Sequence, residues 1–159
     1  MNITLICVGR LKEDYLRSAC AEYQKRLQGF CRFTVEELEA ERLPESPSDA
    51  EIAAALEKEG ERISAKIPKG AYAIALCIEG KRQSSEELAQ LMDRIPGEGT
   101  GAMAFIIGSS YGLSDKVKSS AQLRLSMSRM TFPHQLARVM LMEQIYRAYS
   151  IINNRRYHK

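Results

Sequence analysis

Apolar runs and helical stripes take turns along this chain. "NITLICVG", residues 2–9, is a nearly continuous apolar run of the kind a doubly buried strand carries. Residues 12–27 then place Tyr15, Leu16, Ala19, Cys20, Tyr23 and Leu27 at helical spacing. "FTVEEL" alternates as a short strand, and the proline and serine of "ERLPESPSD" predict a loop ending in an N-cap at Ser48 or Asp49. A helix over 50–66 follows, with Ile52, Leu56 and Ile63 on one face and alternating charges on the other.

"AYAIALCI" reads as a third strand, buried on both faces. A helix led by Ser84 or Ser85, with Glu86 and Glu87 in its first turn, is predicted to run to about Ile95, where Pro96 and Gly97 stop it. "AMAFIIG" is a fourth strand, "SSYGLSD" a loop into a short helix near 116–121, and "LRLSMS" a fifth strand-like piece. The longest helix is predicted over 132–152, with Thr131 as N-cap and Pro133 in its first turn. Alternation of this sort implies one α/β domain over residues 1–159, a mainly parallel sheet flanked by helices. Ligands in such sheets bind beyond the carboxyl ends of the strands, which directs attention to the loops after Ile78, Ile107 and Ser126.

The last helix departs from a single stripe. Leu136, Val139, Met140, Leu141, Met142, Ile145, Tyr146, Tyr149 and Ile152 spread around its circumference, so it needs cover on two sides. The sheet is one cover, and a second copy of the chain in a symmetric dimer is the expected other. Glu143 and Arg147 stand four apart in the favourable order, which by itself is a helix-face pair worth a few tenths of a kcal/mol.

Composition sharpens this only through charge. With 45% hydrophobic and 27% charged residues the chain reads as an ordinary soluble globular protein. No apolar run approaches the roughly 20 residues a membrane span needs, and the start lacks a signal-peptide pattern, so the expected location is the cytoplasm. The four cysteines show no C-x-x-C spacing and no neighbouring histidine, which argues against a metal site. Residues 124–159 carry seven cations and one acid, a balance of +6, whereas the preceding residues balance to −3. Six of those seven cations are arginine, whose planar fork suits phosphates and base edges, so an anionic partner such as nucleic acid is expected at that end.

Motifs narrow the chemistry further. No G-x-G-x-x-G, P-loop, G-x-S-x-G or H-E-x-x-H pattern is present, which disfavours a dinucleotide site, a P-loop, a serine hydrolase and a zinc protease. "FIIGSSYGLS" places Gly108 and Gly112 where backbone can turn tightly and approach a flat ligand. Both histidines, His134 and His158, fall in the basic C-terminal region, and the chain closes on "RRYHK".

The long pattern "SMSRMTFPHQLARVMLMEQIYRAYSI", the terminal "YHK", "FIIGSSYGLS" and "ICVGRLKEDY" together resemble the SPOUT methyltransferases. Among them the chain resembles the ribosomal large subunit methyltransferase H family over its whole length. The resemblance implies a C-terminal α/β trefoil knot, S-adenosyl-L-methionine as methyl donor, a homodimer with sites at the interface, and methylation of N3 of a pseudouridine in large-subunit rRNA on the ribosome. Matched by motif position, it implies a cofactor pocket of Leu76, Gly108, Met127, Ser128, Arg129, Met130, Thr131 and Phe132. His158 and Tyr157 are the implied catalytic pair, a general base or orienting group and a residue that stacks on or hydrogen-bonds the base. Arg138, Arg147, Arg155, Arg156 and Lys159 are expected to hold rRNA phosphates. Three positions depart from the family pattern, among them Ser109 in place of a glycine and Arg156 in place of a proline before the terminal tyrosine. Asn154, also in place of a glycine, is expected to take the left-handed conformation. These departures leave a second expectation open, an RNA-binding ribosomal factor that keeps the fold without catalysis.

Overall fold

The computed structural model describes residues 1–159. Its strands are β1 (Asn2–Val8), β2 (Arg32–Leu38), β3 (Tyr72–Arg82), β4 (Ala102–Ile107) and β5 (Leu123–Ser126). The helices are α1 (Asp14–Leu27), α2 (Asp49–Lys66), α3 (Ser85–Gly97), α4 (Asp115–Ser120) and α5 (His134–Ile152). The strands form one sheet in the order β2-β1-β4-β3-β5, and every pairing is parallel. The expected α/β architecture is the observed one.

The period-two alternation of each strand divides the core between the faces of the sheet. Ile3, Leu5 and Cys7 of β1 join Met103, Phe105 and Ile107 of β4 beneath α1, α3 and α5. Ile6 and Val8 join Ala104 and Ile106 beneath α2 and α4, where the smaller strand side chains let Ile63 and Val117 approach. Burial in this core pushes the Cys7 thiol up to about 12, so it behaves as a small hydrophobe.

Caps explain where α2 and α3 begin. Ser48 and Ser84 each accept from the backbone N–H three residues on, while Glu51 and Glu87 return the bond to the cap residue. Three expected boundaries are corrected. Helix α5 starts at His134 rather than Phe132, with Pro133 rather than Thr131 at the cap position. Phe132 precedes a proline, and such residues are forced out of the α region. Helix α1 starts at Asp14, because the Lys12 backbone N–H is donated to Gln135 Oε1 (2.9 Å) and ties the loop to α5. Helix α3 runs through Pro96 to Gly97, since a proline in the final turn forfeits one bond without blocking the turn it closes.

The two-sided cover of α5 comes from the chain itself. Below it lies the sheet; Tyr146 and Tyr149 pack on Tyr23 and Phe30 of the α1 region, and Gln144 accepts from Ser85 of α3. The chain itself thus covers α5 on two sides, while Leu136 near its start stays 39% exposed.

Candidate cofactor cleft and tail

The carboxyl ends of β3, β4 and β5 surround a cleft of about 290 Å³, near the lower end of the range for small-molecule sites. Of the residues expected to hold cofactor, Leu76, Gly108, Met127, Ser128, Met130, Thr131 and Phe132 line it, and Arg129 does not. Arg129 is exposed on the outer side of the same loop. The cleft also takes in residues that sequence reasoning passed over, among them Cys77, Ile78, Glu79, Tyr111 and Lys118. Most of these come from an interruption in β3: its pairing with β5 breaks between Leu76 and Lys81, and the intervening residues turn into the cleft. A run of apolar letters gives no sign of that irregularity.

Gly108 sets the shape of the β4 side. A Cβ there would lie 2.2 Å from the Gly112 carbonyl oxygen and 2.5 Å from its carbon, so only glycine allows the loop to close on itself. Gly112 has φ +86°, and its N–H donates to Ser109 O at 2.8 Å. Ser109, the departure from the family's glycine, has a defined partner: its hydroxyl donates to Glu59 Oε1 (2.8 Å). Glu59 is 4% exposed, and its other oxygen accepts from the Glu41 N–H (2.9 Å). Ser109→Ala leaves a buried carboxylate oxygen without its donor and is expected to cost about 1–3 kcal/mol of stability by urea denaturation.

Across the cleft, Ser126 Oγ donates to Ser128 O (2.9 Å) and Met130 N donates to Ser128 Oγ (3.0 Å), which holds residues 126–130 in a tight turn. Glu79 pairs with Lys118, whose hydrogen bond is the chief reason the Glu79 carboxyl sits below its usual range. His134 also lines the cleft, its Nε2 3.1 Å from where a Cβ on Gly9 would be. Burial first, then the charges of Arg138 and Lys12, hold its imidazole below the usual range, so it is neutral at pH 7.

The tail lies elsewhere. No residue of 155–159 lines the cleft. Asn154 takes the expected left-handed turn (φ 52°) and folds the tail back along α5. There the Tyr157 ring packs edge-on against Tyr146, centroids 4.8 Å apart, with the Arg147 guanidinium 4.8 Å over its face. Its hydroxyl donates to Glu143 Oε1 (3.1 Å). Partial burial and the hydroxyl's bonds to Tyr23 and Glu143 hold the phenol above its usual range, a neutral donor. His158 Nε2 lies 2.8 Å from Glu86 Oε1, and Nδ1 lies 3.3 Å from Arg147 Nη1. A guanidinium only donates, so Nδ1 accepts and the ring proton sits on Nε2, pointed at Glu86.

The expected phosphate-binding cations divide. Arg155, Arg156 and Lys159 are exposed, Arg155 lying 4.7 Å over the Phe30 ring. Arg147 is committed to Glu143 and His158. Arg138 is corrected outright as a free surface cation: it is 2% exposed, paired with Glu37, and donates to Gly9 O at 2.8 Å. Helical periodicity turned it inward, where it joins the ends of β1 and β2 to α5. Glu37→Ala would strand that buried charge and is expected to lower the unfolding free energy by about 2–3 kcal/mol. Arg138→Met, which removes the cation and keeps the bulk, costs less in the same urea titration.

The predicted SPOUT methyltransferase family profile matches residues 1–158. The chain belongs to the SPOUT methyltransferase family. It is 50% identical over 159 residues to ribosomal RNA large subunit methyltransferase H of Bacillus pumilus, with all of both chains covered. The proteins of that name in Clostridioides difficile and Listeria monocytogenes are 49% and 48% identical, again over the full length of both. Among solved structures, a probable methyltransferase from Bordetella pertussis superposes with a TM-score of 0.55 at 14% identity, covering 92% of this chain and 95% of that one. The tRNA (m1G37) methyltransferase of Aquifex aeolicus gives 0.56 at 10% identity, covering 92% and 70%. At such identities the likeness is one of fold, which is the SPOUT fold.

S-adenosyl-L-methionine is the methyl donor of SPOUT enzymes, and the cleft suits it. The backbone approach that Gly108 allows leaves room for a flat ring, and Leu76, Met127, Met130 and Phe132 provide apolar walls. Glu79, ionised beside Lys118, would accept from ribose hydroxyls. Nothing in the cleft suits a metal, and no cluster of His, Cys, Asp and Glu in the chain could hold one.

Proposed function

We propose that this protein is the S-adenosyl-L-methionine-dependent methyltransferase of N3 of a pseudouridine in large-subunit rRNA. In this reading it works on the assembled ribosome as a homodimer in which the tail of one protomer completes the cleft of the other, with the C-terminal segment threaded as the family's knot. The observation that carries the reading is a cleft built on Gly108, Met127, Ser128, Met130 and Phe132 in a chain half identical, end to end, to proteins named for this class of rRNA methylation. The glycine-to-serine departure, which could have signalled a lost site, instead provides the loop with an anchor in Glu59. The inactive alternative is left with the Arg156 departure alone, an exposed residue of the tail.

What supports the shared site is the placement of the tail. His158 and Tyr157 dock on α5 of their own chain and line no cleft there. Ile78, Tyr111 and Met130, all about half or more exposed, form an apolar rim that a second copy would cover. No helix is long and apolar enough to cross a membrane, in keeping with a ribosomal substrate.

Bound S-adenosyl-L-methionine supplies an electrophilic methyl on a sulfonium. The residues of the protein do the rest. The cleft walls hold the nucleobase edge in line with that methyl, and alignment of this kind contributes most of the rate gain in such transfers. The N3 proton has to leave as the new bond forms, and the imidazole of His158 receives it at a ring nitrogen. Tyr157, a neutral phenol, donates to or stacks on the uracil.

The deciding experiment uses ribosomes from cells lacking the gene, incubated with the protein and methyl-labelled S-adenosyl-L-methionine, with the label mapped by mass spectrometry. One methylated pseudouridine in large-subunit rRNA is expected. Absence of label from rRNA sinks the reading, and label on free rRNA but not on assembled particles removes its ribosomal clause.

A further inference from the structure

A second cavity, of about 440 Å³, lies between α1, α5 and the second half of β2, next to the loop that follows β1, walled by Arg10, Arg17, Gln24, Glu37, Arg138 and Met142. His134 and Ala137 of α5 line the cofactor cleft, and the next residue, Arg138, lines this cavity. The first turns of one helix thus separate the two spaces, a width of about 10 Å. Methyl transfer as described uses none of this second space.

Its lining is cationic and partly unspent. Arg138 spends one Nη on Glu37 and the other on Gly9 O, but its buried Nε–H has no acceptor anywhere in the protein. Arg17 donates to the carbonyls of Leu11 (2.9 Å) and Lys12 (3.2 Å), which aims its guanidinium, and its other end meets Asp14. Arg10 meets Glu39 at 3.3 Å, with both side chains more than 70% exposed. Exposed pairs of this type are worth at most about 1 kcal/mol, so Asp14 and Glu39 yield readily to a stronger anion. Glu37 stays with Arg138, leaving Arg10 and Arg17 as the free balance.

We propose that this cavity is a phosphodiester subsite for the substrate RNA. Arg10 and Arg17 grip one backbone phosphate from its mouth, and the Arg138 guanidinium, held by Glu37 and Gly9 O, stands in the wall behind them. The phosphate belongs to a nucleotide beside the one whose base enters the cleft, so the subsite fixes the register of the strand. The inference rests on the protein being an rRNA methyltransferase and adds a named anchor on its N-terminal side, remote in sequence from the basic tail.

The test is the double variant Arg10→Ala/Arg17→Ala of the full chain, compared with Lys58→Ala/Lys69→Ala, which removes the same charge from exposed sites about α2. Binding of a short uridine-rich single-stranded oligoribonucleotide is measured against salt, and S-adenosyl-L-methionine binding by calorimetry. The expected result is unchanged cofactor affinity, RNA binding weakened about tenfold at low salt, and a salt slope shallower by about 0.7, the value for one phosphate on a single strand. The α2 variant keeps the wild-type slope. Equal losses in both variants would mean a general field effect and overturn the subsite, as would wild-type RNA binding in the Arg10/Arg17 variant. Inorganic phosphate that binds the wild type without competing with the oligoribonucleotide overturns it too. These readouts need no turnover: a wild type that binds RNA in this manner but methylates no rRNA sinks the proposed function alone, and a wild type that methylates rRNA beside an unaffected variant sinks the subsite alone.

Discussion

His158→Ala lowers the single-turnover rate of rRNA methylation by roughly 10²–10⁴-fold, the span a positioned acid or base contributes, while S-adenosyl-L-methionine binds as before. The separation is expected because His158 lines no cofactor cleft in its own chain and its ring nitrogens meet Glu86 and Arg147. In that docked arrangement both ring nitrogens are engaged, so the tail has to leave α5 before His158 can meet a substrate base. Tyr157→Phe is a milder change, since the ring keeps its contacts with Tyr146 and Arg147 and loses only the hydroxyl's bonds. Rapid-quench assays on ribosomal particles, with calorimetry for the cofactor, separate the two effects. A wild-type rate in His158→Ala would remove the tail from the chemistry.

Gly108→Ala removes cofactor binding, with a loss of at least about 100-fold, because a displacement near 1 Å at a binding loop is enough for that. The added methyl would fall 2.2 Å from the Gly112 carbonyl oxygen, and backbone cannot swing aside as a side-chain tip can. Only the loop can move, and the loop is the cleft wall. The fold should survive, since the clash falls on the loop and on the single core side chain of Leu113 rather than on the strands, so circular dichroism stays native while the titration goes flat. Gly97→Ala, where a Cβ meets nothing within 4 Å, is the matched control. Retained affinity in Gly108→Ala would mean that the cofactor sits elsewhere.

How far the sequence anticipated this structure varied with the kind of force involved. Strands announced by dense apolar letters, and helices opened by Ser48 and Ser84, were legible because burial and capping are local in sequence. The start of α5 was misplaced by two residues, although "FP" carried the information: proline constrains its predecessor as firmly as itself. The cofactor loops were legible through motif resemblance, yet Cys77–Glu79 entered the cleft through a break in strand pairing that has no letter of its own. Arg138 shows the limit most plainly. Counted as charge, it belongs with the basic terminus; placed by α5, it is buried against Glu37, a residue 101 positions earlier in the chain. Long-range pairing of that sort, like the Glu59 anchor of Ser109, becomes visible only once the sheet has brought the loops together.

The all-parallel strand order also bears on how the molecule comes into being. β1 is flanked by β2 and β4, and Asn2 faces Ala102 across the second pairing, so the centre of the sheet joins segments a hundred residues apart. Closing so long a loop before any reward is slow, and such topologies fold slowly compared with those built from neighbouring contacts. During synthesis, "ITLICV" can pair with β2 but keeps one bare edge until β4 leaves the exit tunnel. That interval exposes a sticky strand to other nascent chains, making early translation the stage at which chaperones and destabilising substitutions most affect the yield of active enzyme.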